Sequence, residues 1–340
     1  MAQHFGRELT FTGWPHGQSM MWRATDGRDP AGSSLYVKVH SVPYLHDRHS
    51  YAFDAWVPHL PCATPELLLS DASLRLMVFA ELPGQPLELV DLGARAELEA
   101  YATAGRVARA YHEIPVPQSE QTTDPVSVAR RRLEDLVTSA EGLVDRDTLD
   151  WVGSLGSEMA IFADDQLVPC HRDFSPRNWL VTSAGGELSW ALIDFERSRL
   201  DFPYIDFLRM EFDHWLERPE RREAFFAGYG RQLTPDEERK LRLTIVGNCL
   251  GTIPWGAKHG DRRLRPGPGG RFSECESSSE RPHAVSRRRA ARRRGRSLAA
   301  SGWRAFSKAT AVARARPPTR ATGRRSAASD RNATCLPPTR

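Results

Sequence analysis

Apolar and polar residues alternate in several short stretches of the first 80 residues, which is the pattern of half-buried β-strands. Turn-forming residues separate the stretches, and one longer segment between the third and the fourth has helical character. The predicted strands cover residues 9–12, 19–24, 35–39, 67–69 and 75–79, and the predicted helix covers residues 44–60. Glycine and prolines at residues 82–86 then interrupt the pattern, as expected of a linker. Residues 1–82 are therefore predicted to form a β-rich unit.

Beyond this break, apolar positions recur mainly at helical spacing. The predicted helices cover residues 94–113, 126–137, 148–163, 205–216, 221–228 and 234–250. Two short apolar stretches, residues 179–181 and 190–193, predict a hairpin with its turn at residues 183–186. The sequence thus predicts an α+β protein in which a helical unit, residues 83–261, follows the β-rich one.

The chain has a net charge of +4, but its charged residues are distributed unevenly along the sequence. Residues 262–340 contain about 21 Lys and Arg against about 4 Asp and Glu, whereas residues 1–261 contain about 26 against about 39. The basic segment is rich in Arg, Ala, Ser, Pro and Gly and lacks apolar periodicity, which predicts disorder because little apolar burial could offset the entropy of ordering. It is either a nucleic-acid-binding tail or out-of-frame translation of a GC-rich gene. The abrupt change within helical sequence favours the second origin.

Several classes of protein are disfavoured. The start of the chain lacks the features of a signal peptide, and no apolar stretch is long enough to cross a bilayer. The five cysteines are scattered and include no C-x-x-C pair, which disfavours a disulfide framework or a zinc site. These features predict a cytoplasmic location and no association with membranes.

The strongest chemical signal lies in residues 171–178, His-Arg-Asp-Phe-Ser-Pro-Arg-Asn, and residues 193–196, Ile-Asp-Phe-Glu. In phosphoryl transfer of the kinase type, the first Asp of such a pattern receives the proton of a hydroxyl, and the Asn and the second Asp bind metal. Oxygen ligands of this kind suit Mg²⁺. The pattern predicts that Asp173 is catalytic and that Asn178 and Asp194 bind the metal.

Two further motifs extend this signal, Val-Lys-Val at residues 37–39 and Asp-Phe-Pro-Tyr-Ile-Asp at residues 201–206. With them, residues 8–260 resemble the aminoglycoside phosphotransferase family, the small-molecule branch of the protein-kinase-like fold. The resemblance implies a bilobal structure with a small β-rich N-lobe, a larger helical C-lobe and ATP in the cleft between them, together with Mg²⁺.

The resemblance also implies roles on the nucleotide side of the cleft. Lys38 would contact the α- and β-phosphates of ATP. Gly13 and Gly17 would let the backbone approach the triphosphate. The hinge at Ala80 and Leu82 would present backbone groups to adenine.

Other roles concern support of the site, where the chain also departs from the family pattern. His171 and Asp206 would hold the catalytic loop, and Glu196 would lie either beside the metal ligands or simply exposed. Kinase-like sites pair the strand lysine with a Glu on the following helix, but His49 stands at that position. Either Asp54 replaces the Glu, or the helix register differs, or phosphates alone hold the lysine.

The acceptor is predicted from charge. Acids and aromatics at residues 209–215, together with the net negative charge of residues 1–261, favour a small cationic acceptor, most of all an aminoglycoside-type antibiotic. Phosphorylation of such an antibiotic would confer resistance. An ordinary solvated helix face explains these acids equally well. Choline, homoserine, fructosamine and macrolide kinases share the fold and stay alternatives, as does a catalytically impaired scaffold. A protein kinase is disfavoured, because Ser175 replaces the usual Lys and no activation segment fits between Asp194 and Asp206. No protein partner is implied, and nucleic acid is expected only through the basic tail.

Overall fold

The computed structural model describes residues 9–14, 20–26, 34–121, 123–184 and 187–258. Gly17 and the predicted disorder of residues 262–340 lie outside the described residues.

An antiparallel five-stranded sheet forms the N-terminal lobe, with the strand order β1-β2-β3-β5-β4. Its strands are β1 (Leu9–Trp14), β2 (Met20–Asp26), β3 (Leu35–Val39), β4 (Leu67–Asp71) and β5 (Leu76–Ala80). Helix α1 (Pro43–Ala55) connects β3 to β4. The central strand β3 pairs on both sides, and its Lys38 lies opposite Met21 on β2 and Met77 on β5. A central strand is held by two ladders of hydrogen bonds, so the lysine backbone is firmly placed.

Helices build the larger C-terminal lobe. They are α2 (Ala94–His112), α3 (Pro125–Ser139), α4 (Arg146–Ser154), α5 (Leu208–Met210), α6 (Pro219–Tyr229) and α7 (Pro235–Lys258). Asp124 and Asp145 cap α3 and α4, since each side chain accepts a bond from the backbone N–H three residues later. Of the helices in the described part of the chain, none has the length and apolar character needed to cross a membrane.

Helices α2 and α6 pack with their backbones in close contact, because a glycine lies at each side of the crossing. A Cβ atom on Gly105 would lie only 1.9 Å from the carbonyl oxygen of Phe225. A Cβ atom on Gly228 would lie 1.8 Å from the carbonyl oxygen of Ala102. Real side chains cannot approach backbone so closely, so this contact requires both glycines.

Short strands in the C-terminal lobe frame two loops. They are β6 (Gln85–Pro86), β7 (Val168–Cys170), β8 (Trp179–Ala184), β9 (Glu187–Leu192) and β10 (Arg199–Asp201). Strands β6, β8 and β9 form one antiparallel sheet, and β7 pairs with β10. Residues 171–178, the catalytic loop, therefore run from β7 to β8, and residues 193–198, the metal loop, run from β9 to β10.

The predicted α+β, two-lobed architecture is confirmed, but several predicted elements end elsewhere. The helix predicted at residues 44–60 stops at Ala55 and is followed by a 3₁₀ turn, Val57–His59, since Pro58 cannot donate a helical hydrogen bond. The helix predicted at residues 148–163 continues beyond Ser154 only as a 3₁₀ helix.

Two further differences lie close to the cleft. The segment predicted as one helix at residues 205–216 combines a 3₁₀ turn (Pro203–Phe207), α5 and a π-type turn (Glu211–Trp215). Gly13, predicted in a turn, is instead paired within β1 opposite Trp22.

Candidate active site

Asp206 anchors the start of the catalytic loop. Its carboxylate accepts hydrogen bonds from the backbone N–H of His171, at 2.9 Å, and of Arg172, at 2.5 Å. His112 on α2 approaches the same carboxylate at 3.1 Å. Asp206 is only 1% exposed, so these contacts satisfy an otherwise costly buried group. The loop backbone is thereby fixed to the helical lobe.

His171 connects the catalytic loop to the metal loop. Its Nε2 atom lies 3.0 Å from the carbonyl oxygen of Ile193. Its ring also packs against the buried ring of Phe195, with 5.1 Å between centroids. The two loops that carry the predicted polar residues are therefore held together by one histidine.

Asp173 is buried at the centre of this region, and two arginines contact its carboxylate. Arg177 donates to Oδ2, and Arg209 Nε lies 3.0 Å from Oδ1. Burial pushes the pKa of Asp173 upward, but the charges of Arg209 and Arg177 outweigh this, and the pKa lies below its ordinary value. The carboxylate is therefore ionised and ready to accept a hydrogen bond.

Asn178 and Asp194 approach Asp173 from its own loop and from the metal loop. The Asn178 amide nitrogen donates to the Asp173 carbonyl at 2.9 Å, which orients the amide oxygen away from that bond. Ile193 N–H donates to the Asn178 carbonyl at 3.1 Å. Asp194 has a left-handed backbone with φ of 73°, an unfavourable conformation for a non-glycine residue that is typical of functional positions.

Lys38 extends from β3 to the metal loop, where two carboxylates hold its ammonium group. Nζ lies 2.6 Å from Asp194 Oδ1 and 2.9 Å from Glu196 Oε2. Burial lowers the pKa of Lys38, but the two carboxylates more than compensate and raise it overall. Burial likewise raises the pKa of Asp194, yet the lysine charge and hydrogen bond dominate and lower it to about 2. Both groups are therefore charged.

The carboxylate that replaces the usual helix Glu comes from Glu196. Glu196 is 7% exposed, so the expectation that it could be simply exposed is wrong. Asp54 is exposed and does not replace the Glu, and His49 lies buried on α1 with its Nδ1 3.0 Å from His40 Nε2. Sequence reasoning missed this partner of Lys38, although Glu196 follows Asp194 by only two residues.

On the nucleotide side, the predicted hinge directly follows β5. The N–H of Ala80 donates to the Glu66 carbonyl and the N–H of Glu81 to the Ser34 carbonyl, both at 3.0 Å. Within the described residues, no such bond engages the backbone of Leu82. Gly13 lies on β1. A Cβ atom added to Gly13 would lie 3.9 Å from the Trp22 side chain, which is an ordinary contact distance. Its position therefore does not require glycine.

The acids and aromatics at residues 209–215 are already engaged. Glu211 lies 3.4 Å from Arg222, and Trp215 is 2% exposed and packs on Phe225 and Phe226. Neither residue presents a free surface for stacking or for binding a polycation.

The contacts above bring the motif residues of two loops and one strand into one site, and comparison with known proteins agrees. The family model described as "Phosphotransferase enzyme family" (APH) matches residues 19–243. The chain belongs to this family. It is therefore a phosphotransferase, as the motifs predicted. No curated protein matches the chain in a sequence comparison.

Solved structures with the same fold share little sequence with this phosphotransferase. It is similar to a macrolide 2'-phosphotransferase type I, with a TM-score of 0.59, 17% identity, and coverage of 77% of this chain and 91% of that one. It is similar to the GDP and kanamycin complex of APH(2")-IIia, with a TM-score of 0.60, 16% identity, and coverage of 78% of this chain and 92% of that one. It is also similar to a streptomycin-ATP-APH(2")-IIa ternary complex, with a TM-score of 0.56, 15% identity, and coverage of 77% of this chain and 93% of that one. These likenesses confirm the kinase-like fold.

The phosphotransferase site offers the right ligand atoms for Mg²⁺. Asn178 contributes an amide oxygen and Asp194 a carboxylate, and Mg²⁺ prefers such hard oxygen ligands in small number. The two residues come from loops that are joined by the bond from Ile193 N–H to the Asn178 carbonyl, so the donor set fits the metal.

Proposed function

We propose that this phosphotransferase transfers the γ-phosphoryl group of ATP to a hydroxyl group of a small molecule. The observation that carries the proposal is that Asp194 contacts the ammonium group of Lys38 at 2.6 Å, while the ionised Asp173 and its neighbour Asn178 lie on the loop that His171 joins to the metal loop. An anionic triphosphate needs cations and ordered donors around it, and an attacking hydroxyl needs an ionised acceptor for its proton. The site contains both sets of groups within one cleft.

Asp173 performs the acceptor side of the reaction. Its carboxylate accepts the hydrogen bond of the acceptor hydroxyl and aims the oxygen at the γ-phosphorus. The new O–P bond forms as the bond from the γ-phosphorus to the ADP oxygen breaks, and the hydroxyl proton passes to Asp173. The lowered pKa of this carboxylate makes it a weak base, which suits a loose transition state in which the proton leaves late.

Lys38 and the metal loop bind the nucleotide. Lys38 would contact the α- and β-phosphates, and Glu196 would keep its ammonium group in place. Asn178 and Asp194 would hold Mg²⁺, which would supply positive charge to offset the charge of the phosphates. His171 and Asp206 keep both loops in register through the contacts described above.

The base and triphosphate are proposed to bind along the sheet. The backbone of Leu82, with Ala80 before it, meets the base, and Gly13 and Gly17 adjoin the phosphates. The titles of similar structures name both ATP and GDP, so both nucleoside triphosphates belong in the assay. A reaction that consumes ATP fits the predicted cytoplasmic location.

The acceptor predicted from the sequence is a cationic aminoglycoside, with antibiotic resistance as the consequence. Kanamycin and streptomycin, named for similar structures, and a macrolide are therefore the first compounds to test.

The test is release of ADP from MgATP and of GDP from MgGTP by three variants of the full chain. Asp173→Ala should abolish turnover and leave nucleotide affinity largely intact, because Asp173 acts on the acceptor. Asp194→Ala should remove Mg²⁺-dependent nucleotide binding. Asp135→Asn, an exposed acid on α3, is the control and should match the parent. If both site variants turn over like the parent, the assignment of the site is wrong.

The main rival is a catalytically impaired scaffold, prompted by the missing helix Glu. The position of Glu196 weakens this rival, because a buried carboxylate next to Lys38 replaces what the helix lacks. Nucleotide binding without any turnover across the acceptor panel would favour the scaffold.

A further inference from the structure

Two guanidinium groups occupy the position where the acceptor hydroxyl must bind. Arg177 contacts one carboxylate oxygen of Asp173, and Arg209 contacts the other from 3.0 Å. Both arginine side chains are about one-third exposed, at 36% and 34%, so they also face the cleft. One carboxylate between two guanidinium groups leaves this point with a net positive charge.

Binding of the acceptor must release at least one of these contacts. A hydroxyl that donates to Asp173 replaces an arginine on one carboxylate oxygen, and the displaced guanidinium group then needs another anion because it is largely buried. The γ-phosphoryl group of the nucleotide supplies an anionic partner for only one of the two arginines. The reacting site therefore lacks one negative charge if the acceptor is neutral or cationic.

The two arginines lie on different sides of Asp173. Arg177 is in the catalytic loop, one residue before the predicted metal ligand Asn178, and contacts Asp173 Oδ2. Arg209 is on α5 in the helical lobe, and its Nε contacts Asp173 Oδ1 at 3.0 Å. Arg177 therefore approaches Asp173 from the loop of the metal ligand, and Arg209 approaches it from the helical lobe.

We propose that Arg209 binds an anionic oxygen group of the acceptor, a carboxylate or a phosphate, so that the substrates are anionic hydroxy compounds rather than polycations. This inference rests on the proposed function and concerns the acceptor part of the same site. It replaces the cationic acceptor predicted from the sequence.

The surroundings of Arg209 support the same choice. The acids that could attract a polycation are already paired with arginines, namely Glu211 with Arg222 and Glu97 with Arg218 and Arg221. Asp213 is the acid whose charge acts on Arg209 directly, against the charges of Arg177 and Arg197. An ammonium group placed about 5 Å from the guanidinium group is repelled, which corresponds to a penalty of roughly 10- to 100-fold in kcat/KM.

The test compares acceptors that share a pyranose ring and differ in charge. Glucuronate carries a carboxylate, glucose 6-phosphate a phosphate, glucose no charge and glucosamine an ammonium group, with kanamycin as the polycation. Release of ADP from MgATP and of GDP from MgGTP is measured for the full chain, for Arg209→Gln and for Arg231→Gln. Arg231 is the matched control, because it is likewise paired with an acid, Glu237, but lies in the connection between α6 and α7.

We expect turnover to be highest with one of the two anionic acceptors. The faster of glucuronate and glucose 6-phosphate shows whether Arg209 binds a carboxylate or a phosphate. Arg209→Gln should raise KM for the anionic acceptors roughly 10- to 100-fold and narrow the gap between charge classes. Arg231→Gln should behave like the parent. Preference for glucosamine or kanamycin, or an anion preference that Arg209→Gln leaves intact, overturns the inference.

A binding measurement covers the case in which none of the five compounds is phosphorylated. The melting temperature of the full chain saturated with MgADP should rise more with the two anionic compounds than with the other three, and Arg209→Gln should lose this difference. Equal shifts for all charge classes overturn the inference. Failure of the proposed function looks different, because then MgATP and MgGTP neither raise the melting temperature nor yield ADP or GDP.

Discussion

Glu196 allows the most specific test of how the site is built. The structure assigns it the role that a helix Glu has in kinase-like sites, so Glu196→Gln should weaken the hold on Lys38 without changing the size of the side chain. Asp54→Asn is the matched control, because Asp54 is the acid on α1 that the sequence offered in place of the helix Glu and is exposed. The two variants distinguish a partner supplied by the metal loop from one supplied by the helix.

The size of the effect follows from the geometry. Unit charges 2.9 Å apart attract by about 6 kcal/mol at an effective dielectric constant of about 20. The loss of a partner from a buried ion pair typically costs 3–5 kcal/mol. Asp194 remains next to Lys38 at 2.6 Å, so we expect a loss of about 2 kcal/mol in the free energy of unfolding. A mispositioned Lys38 should lower kcat/KM by about 10- to 100-fold.

Urea unfolding and steady-state ADP release measure the two quantities on the same preparations. A rescue experiment adds specificity. His49 Nδ1 lies 3.0 Å from His40 Nε2, which lies 3.9 Å from Glu196 Oε2, so the double variant Glu196→Gln, His49→Glu places a carboxylate on the helix near the position that Glu196 loses. It should recover part of the activity lost by Glu196→Gln. The reasoning is refuted if Glu196→Gln equals the parent in both assays, or if Asp54→Asn has the larger effect.

Three further predictions concern packing, pH and the basic segment. Gly105→Ala should lower the free energy of unfolding, measured in urea, by roughly 3 kcal/mol or more, because its Cβ would lie 1.9 Å from a backbone oxygen. Gly153→Ala, in open space on α4, is the control and should raise it by up to about 1 kcal/mol. Equal effects of the two substitutions would contradict the packing of α2 on α6. Burial, then the charge of Lys38 and neighbouring histidines at 40, 46 and 171, holds the pKa of His49 well below 6.5. The unfolded chain therefore binds the extra proton, so the contribution of His49 to stability is full above about pH 6.5 and falls by about 1.4 kcal/mol per pH unit below it. Burial also lowers the pKa of His40 and, to about 3, that of His214. His49→Gln should therefore reduce the measured slope by about 1.4 kcal/mol per pH unit without removing it, and exposed His59→Gln should leave it unchanged. Deletion of residues 262–340 should leave ADP release unchanged and abolish any binding to nucleic acid in a filter assay; lost turnover would show that the segment belongs to the enzyme.

Local patterns were sufficient to predict the framework of the site. The Asp–Asn spacing and the hairpin that follows place Asp173 and Asn178 on one loop and Asp194 on the next, because β8 and β9 are joined by a short turn. Alternation likewise located β3 and its Lys38. These features depend on residues close together in the sequence, so the sequence shows them directly.

Contacts between distant segments could not be predicted in this way. The pairing of Glu196 with Lys38 depends on how the metal loop packs beneath the sheet, and the approach of Arg209 to Asp173 depends on the irregular turn around α5. A regular helix at residues 205–216, as the periodicity predicts, would place Arg209 differently. The sequence-based choice of a cationic acceptor considered the acids of this segment but not the direction of its arginine.

The central claim is that Asp173 directs a hydroxyl to the γ-phosphorus of a bound nucleoside triphosphate. The most direct measurement is ³¹P NMR of the full chain with MgATP and the acceptor panel, run in parallel for Asp173→Asn. The account predicts a new phosphomonoester signal with the parent enzyme and none with Asp173→Asn, while both bind MgATP with similar affinity. The same phosphomonoester formed at the same rate by Asp173→Asn would contradict it.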